Sequence, residues 1–230
     1  MRLAGLFVVC MALVLCTPGF AKDRAVDICP STKIGGEWSA QCFTQEAGKR
    51  TVKRQYRKRI DANAYGMAVI TIAEPREMVA VNRFGIVVIP NIRHAGDFDY
   101  PSAEHGVGRF SVSVGGERGN ATSKCGYFQA EQFEVVVPAQ YDQCGPFIKG
   151  ESEACTECVS YCTDADCHDS VFVGGKGVVL SPNGSILRTY KPPGIDQVCG
   201  GGSPAQISAI NKSGSKVLTC KAPVQSPFKI

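Results

Sequence analysis

Histidine and tryptophan are scarce in this chain, three and one in 230 residues, and the scarcity removes several chemistries at the outset. His94, His105 and His168 stand far apart, so there is no H-E-x-x-H pair to hold a catalytic zinc. No G-x-S-x-G nucleophile elbow and no G-x-x-x-x-G-K-[ST] phosphate loop occurs. Acid pairs that hydrolyse glycosides are defined by distance in space. The weak candidates here, Asp97-Phe98-Asp99 and Asp164-Ala165-Asp166, read as solvated loop acids. A strong charge of one sign is also lacking: the formal +4 falls to +3 without Arg2 and names no partner. The expectation is a protein without catalytic, cofactor or metal residues.

Long apolar runs are missing beyond residue 21, so the rest of the chain is expected to be soluble and not membrane-spanning. The first 21 residues are different. Arg2 precedes an uncharged apolar stretch from Leu3 to Cys16, and Gly19-Phe20-Ala21 places small residues three and one before Lys22. This is the pattern of a secretory signal cut before Lys22, and the run is short of the roughly 20 residues that a membrane span needs. Cys16 offers lipidation as an alternative, although Leu15 stands where a small residue is usual.

What remains is rich in cysteine. Ten follow the signal: Cys29, Cys42, Cys125, Cys144, Cys155, Cys158, Cys162, Cys167, Cys199 and Cys220. An even count on an export route reads as disulfides. Proximity suggests Cys29 with Cys42, Cys125 with Cys144 and Cys199 with Cys220, and two more bridges within residues 155–167. That cluster has the spacing C-x2-C-x3-C-x4-C with His168 adjoining, which in a reducing compartment would suggest zinc. A haem attachment is excluded because Val159, not histidine, follows the second cysteine. A redox-active Cys155-Cys158 pair lacks the βαβ surroundings it usually has.

Along the chain, residues 22–48 are polar and without period, and Trp38 is expected to pack at the edge of a core. Residues 49–59 hold seven cations, with Val52, Tyr56 and Ile60 four apart, which fits a helix with a narrow apolar stripe and a broad basic face; a strand, which would put charge on both faces, fits less well, although an exposed edge strand tolerates lysine and arginine. A solvated face is the plain reading; the functional one is contact with an anion or an acidic partner through Lys53, Arg54, Arg57 and Lys58. Nucleic acid is not expected, since only Tyr56 interleaves the charges. Strands are expected at 67–72, 78–81 and 86–89, and at 106–114, where apolar and polar residues alternate. Pro90 and Pro138 are expected to halt the strands before them, having no amide hydrogen to give. Gln206 to Ile210 and Lys216 to Thr219 read as a final hairpin, followed by a loosely held tail. Asn120, Asn183 and Asn211 begin N-x-[ST] glycosylation patterns.

The chain also repeats itself. Phe84-Gly85-Ile86-Val87-Val88-Ile89-Pro90 with Phe98 returns as Phe133-Glu134-Val135-Val136-Val137-Pro138 with Phe147, at an offset of 48 to 49 residues. A weaker copy runs from Gly177-Val178-Val179-Leu180 through Pro182-Asn183-Gly184 to Ile186 and Tyr190. Asn82-Arg83-Phe84-Gly85, then a strand ending in proline, Ala95, Phe98 and Gly106 resembles the bacterial WG-repeat family. So do Gly126-Tyr127, Tyr141-Asp142, Phe147 and Gly150 in the second copy, and Lys176-Gly177 and Tyr190 in the third. The resemblance spans residues 79–190. It departs where Cys125 and Lys176 replace the naming tryptophan, at Ile92 in place of tyrosine, and at the inserted cysteine cluster. It implies a mostly β fold, an array of short antiparallel strands built from stacked repeats, with few or no long helices and no activity.

The organisation expected is a signal over 1–21, a segment with the basic stretch over 22–63, the repeat domain over 64–190, and a hairpin and tail over 191–230. The function expected is that of an exported bacterial protein, periplasmic or extracellular, binding a protein or a cell-envelope component. An inhibitor or immunity protein for an envelope enzyme is the alternative.

Overall fold

Seven strands build the main sheet. They are β1 (Glu37–Trp38), β4 (Met67–Ile72), β5 (Glu77–Asn82), β6 (Val87–Ile92), β7 (Val107–Val114), β8 (Thr122–Gln129) and β9 (Glu134–Tyr141), side by side in that order. From β4 onward every neighbour is antiparallel; β1 joins β4 in parallel. The computed structural model describes residues 27–92, 98–99, 106–115, 122–200, 203–208, 216–221 and 224. The signal segment with Cys16, His94, Ala95, Asp97, His105, Asn120, Asn211 and the chain end from Gln225 lie outside the described residues.

Alternation in β4 and β5 puts apolar side chains on both faces of the sheet. Ile70, Ile72, Val79 and Val81 pack with Trp38, Phe43, Val52 and Cys42 on one face. Met67 and Ala80 pack with Ile89, Phe110, Phe128 and Phe133 on the other. Residues 27–48, without period in sequence, therefore cover a sheet face rather than trailing from it. Trp38 is fully buried there, 6.1 Å from the Phe43 ring.

The basic stretch is not one helix. Lys49–Val52 is strand β3, paired with β2 (Phe43–Glu46), and only Arg54–Arg59 winds, as a 3-10 helix. The reason is tertiary. The Val52 amide donates to the Gly85 carbonyl and the Lys53 amide to that of Cys42, so these donors are held by other segments. The four-residue spacing still selects the right side chains, since Val52, Tyr56 and Ile60 all face the core.

The two prolines do not end their strands. Pro90 lies inside β6 and Pro138 inside β9, and each falls where the register shifts. Between Ala80↔Ile89 and Met78↔Ile92 the β6 side has an extra residue, and between Tyr127↔Val137 and Cys125↔Tyr141 the β9 side has more. A bulge asks no ladder hydrogen bond of its extra residue, which is why an imino acid is tolerated there. On β8 the facing residue is Gly126, where a Cβ would sit 2.3 Å from the Val137 carbonyl oxygen.

Two four-stranded sheets complete the fold. One is β10 (Gln143–Cys144), β11 (Ser152–Thr156), β14 (Lys176–Leu180) and β15 (Ile186–Tyr190). The other, in the order β13-β12-β17-β16, takes β12 (Val159–Cys162) from the cysteine cluster and β13 (Ser170–Val173) from just after it. It takes β16 (Gln206–Ser208) and β17 (Val217–Thr219) from the final hairpin. The chain after residue 190 thus completes a sheet begun within 155–173. The protein is mostly β and disulfide-stapled. Its cystines are Cys29–Cys42, Cys125–Cys144, Cys155–Cys158, Cys162–Cys167 and Cys199–Cys220. No helix among the described residues is long and apolar enough to cross a membrane.

Candidate functional site

The alternation of β7 decides where the site lies. Phe110 and Val112 face the aromatic core, while Arg109 and Ser111 face the opposite way. There they meet Ser123 and Cys125 of the paired strand β8. In sequence this polar face reads as solvated. In the fold it is the floor of a groove between the main sheet and the two smaller ones.

The groove has two adjoining cavities of 290 and 410 Å³ that share Arg109, Gln143 and Cys144. The first is floored by Ser111, Ser123 and the Cys125–Cys144 cystine, with Asp99 and Asp142 at its sides. The second has an apolar wall of Pro146, Ile148 and Phe172, and a polar rim of Glu151, Ser160, His168, Asp169 and Ser170. Ser160 of the cysteine cluster and the residues directly after it supply most of that rim.

Each acid near the floor has a partner. Arg109 Nε donates to Asp99, and its Nη1 lies 3.4 Å from the Cys144 carbonyl oxygen. Lys124 donates to Asp142 at 2.6 Å, and the Glu157 amide donates to the same carboxylate. Burial alone would raise the Asp142 pKa, but the lysine and the amide outweigh it and hold the group below the usual carboxylate range. Glu153 accepts from the Tyr190 hydroxyl at 2.7 Å; burial pushes this carboxyl up, only partly offset by that bond.

Behind the floor a buried staple ties β8 to β11. The Tyr127 hydroxyl lies 2.8 Å from Ser152 Oγ and 3.1 Å from the carbonyl oxygens of Gly145 and Glu153; Ser152 Oγ donates to Gly145 at 2.8 Å. Both side chains are almost wholly buried. Burial pushes the Tyr127 phenol far above its ordinary 10, against the lowering effect of the Ser152 bond. The Tyr190 phenol is raised too, by burial first and then by the Glu153 carboxylate. The folded protein therefore keeps protons that the unfolded chain releases above about pH 10. Stability is fully present below that pH and falls as pH rises through it, by up to about 1.4 kcal/mol per unit for Tyr127. Urea unfolding between pH 9 and 11 is expected to show this fall, and Tyr127→Phe to flatten it while lowering stability at neutral pH by about 1–3 kcal/mol. A slope unchanged by the substitution would refute the assignment.

The cysteine cluster is not a set of thiolate ligands, because its sulfurs form Cys155–Cys158 and Cys162–Cys167. Cys155 and Cys158 are buried against Phe172. Asp164 organises the loop closed by Cys162–Cys167. Its carboxylate accepts the amides of Asp169, Asp166 and His168 at 2.9, 2.9 and 3.2 Å, and the Asp169 amide first among them lowers its pKa. Asp99, another of the loop acids singled out in sequence, is the partner of Arg109.

The basic quartet is divided. Arg57 is committed to Glu46 at 2.8 Å and to the Val52 carbonyl oxygen at 2.9 Å. Lys53, Arg54 and Lys58 form no ion pair among the described residues. They lie on the 3-10 segment beneath the main sheet's first face, not in the groove. Sequence reasoning missed Arg109, Gln143 and the Tyr127–Ser152 staple. The one available signal was the polar half of the β7 alternation, with arginine among serines. Compared with known proteins, the chain matches no family model and no curated protein.

Proposed function

We propose that the protein is an exported, disulfide-stabilised binding module, without catalytic activity, that holds a segment of a protein or cell-envelope component in the Arg109–Gln143 groove. The observation that carries this reading is the cross-linking of the groove itself. One cystine is in its floor, and two more pin the loops of its rim. Preorganised walls lower the ordering cost of binding. Export is supported by the pairing of the ten cysteines that follow residue 21 and by the character of residues 1–21. The periplasm or the bacterial exterior is the compartment proposed. The acids at the floor are engaged in pairs, which suits recognition better than proton transfer. The array is read as WG-like repeats, a view supported by Pro90 and Pro138 sitting in corresponding bulges.

A second reading is an inhibitor or immunity protein for an envelope enzyme. It is favoured by the short, doubly pinned loops at the rim, which could enter an active site as rigid wedges.

The test is capture from an envelope extract by the oxidised protein and by Gln143→Trp, which fills the junction of the two cavities. Capture by the native protein, reduced about tenfold or more by a substitution that leaves thermal unfolding unchanged, is the expected result. Equal capture by both would move the site elsewhere, and no capture by either would sink the binding-module reading. A captured enzyme whose turnover falls in stoichiometric proportion would select the inhibitor reading.

A further inference from the structure

We infer that the end of the molecule carrying residues 31–35, 54–59, 63–66 and 82–85 is a docking surface for an anionic phospholipid membrane. This surface is separate from the groove and does not rest on it. Three turns there end in exposed apolar side chains: Ile34 is 81 % exposed, Phe84 64 % and Tyr65 39 %. Cations flank them, Lys33 beside Ile34 and Arg83 beside Phe84.

The contacts between segments place them together. The Thr32 amide donates to the Arg59 carbonyl at 3.0 Å, and Thr32 Oγ1 accepts the Asp61 amide at 2.7 Å, which fixes the first turn against the 3-10 helix. Gly85 lies against the same helix, since a Cβ there would meet Ile60 and Arg57 at 3.2 and 3.4 Å. Met67 pairs with Asn82, so the turns before β4 and after β5 share one end of the sheet; the Arg83 guanidinium lies over Gly66.

The charge is one-sided. Glu46 is taken by Arg57 and Asp27 by Arg59. Lys53, Arg54 and Lys58 are left without an ion-pair partner among the described residues, against a single unpaired acid, Asp61. An apolar cavity of 310 Å³ floored by Ala47 and Ile86 opens beside Phe84.

Apolar tips on separate turns among cations match a bilayer interface, where aromatic and aliphatic ends enter the headgroup layer and cations meet phosphates. A protein partner would instead favour one continuous apolar patch with charge at its rim.

The test is co-sedimentation of the processed, oxidised protein, its N-terminus read by mass spectrometry. The vesicles are phosphatidylcholine mixed with phosphatidylglycerol, against phosphatidylcholine alone. Binding to the anionic vesicles is expected, weakening with added salt. It should fall about tenfold or more both in Ile34→Ser/Tyr65→Ser/Phe84→Ser and in Lys53→Ala/Arg54→Ala/Lys58→Ala, with thermal unfolding unchanged. Gln143→Trp is expected to bind vesicles as the native protein does, so failure here and failure of the groove reading are distinguishable. Equal binding to neutral vesicles, no binding, or variants that bind normally would overturn the proposal. Binding to immobilised polyglutamate but not to vesicles would overturn it in favour of an acidic protein.

Discussion

Phe128→Ala is expected to lower the unfolding free energy by about 3–5 kcal/mol, which would leave a domain of ordinary stability barely folded. Phe128 is fully buried. Its ring stacks on Phe98 at 4.9 Å and meets the edge of Phe133 at 5.7 Å, while Phe98 and Phe133 also touch. The triad joins the β7–β8 and β8–β9 hairpins to the chain around residue 98, so three connections lose their common wedge together. The site is also closely fitted, since a Cβ on Gly108 would lie 2.5 Å from the Phe128 ring. Alanine therefore leaves a cavity lined by side chains and backbone with little room to collapse. Guanidinium unfolding at neutral pH measures the change. A loss under about 1 kcal/mol would mean that the aromatic cluster does not close this face of the sheet.

The second large effect is expected at the floor of the groove. Removing the Cys125–Cys144 bridge as Cys125→Ala/Cys144→Ala should cost about 3 kcal/mol, because it frees a 19-residue separation in the unfolded chain. Removing Cys162–Cys167, with a separation of 5, should cost nearer 2 kcal/mol. The functional difference runs alongside. The first bridge ties β8 of the main sheet to β10 of the smaller one, and both strands line the groove. Its loss lets the two walls move apart, so capture by the groove should weaken even where the variant remains folded. Unfolding curves and capture, measured on the same preparations, check both. If the 125–144 variant is as stable and as competent as the native protein, the groove is not held by this bond.

Much of the architecture was legible. The β4 and β5 strands, the first half of β6, and β7 follow from aliphatic runs and alternation, and three of the five cysteine pairs follow from proximity; the partners within 155–167 were left open. What was not legible has particular causes. A proline after four aliphatics looks like a stop because the sequence does not show the bulge that excuses its missing hydrogen. The stretch 49–59 has helical spacing, but the hydrogen bonds of Val52 and Lys53 go to Gly85 and Cys42, and no local pattern announces those partners. Residues 27–48 looked featureless because they cover a core whose period lies in other strands. The groove was hardest. Arg109, Gln143, Ser160 and Phe172 come from four strands in three sheets, and only the order of those sheets brings them together. The basic quartet was visible as charge, but Arg57 had to be seen beside Glu46 before it could be set apart from Lys53, Arg54 and Lys58.

The pairing of the cysteines has a consequence for how the molecule can be made. Every bridge joins a cysteine to the next one along the chain: 29 to 42, 125 to 144, 155 to 158, 162 to 167 and 199 to 220. Where such a chain meets an oxidant N-terminus first, each bond can close as its second thiol appears, before the next pair is complete. An oxidant that joins thiols in order of arrival already produces the native set. The structure asks for no later exchange of partners, and β17, which pairs with β12, lies just before the second thiol of the last bridge.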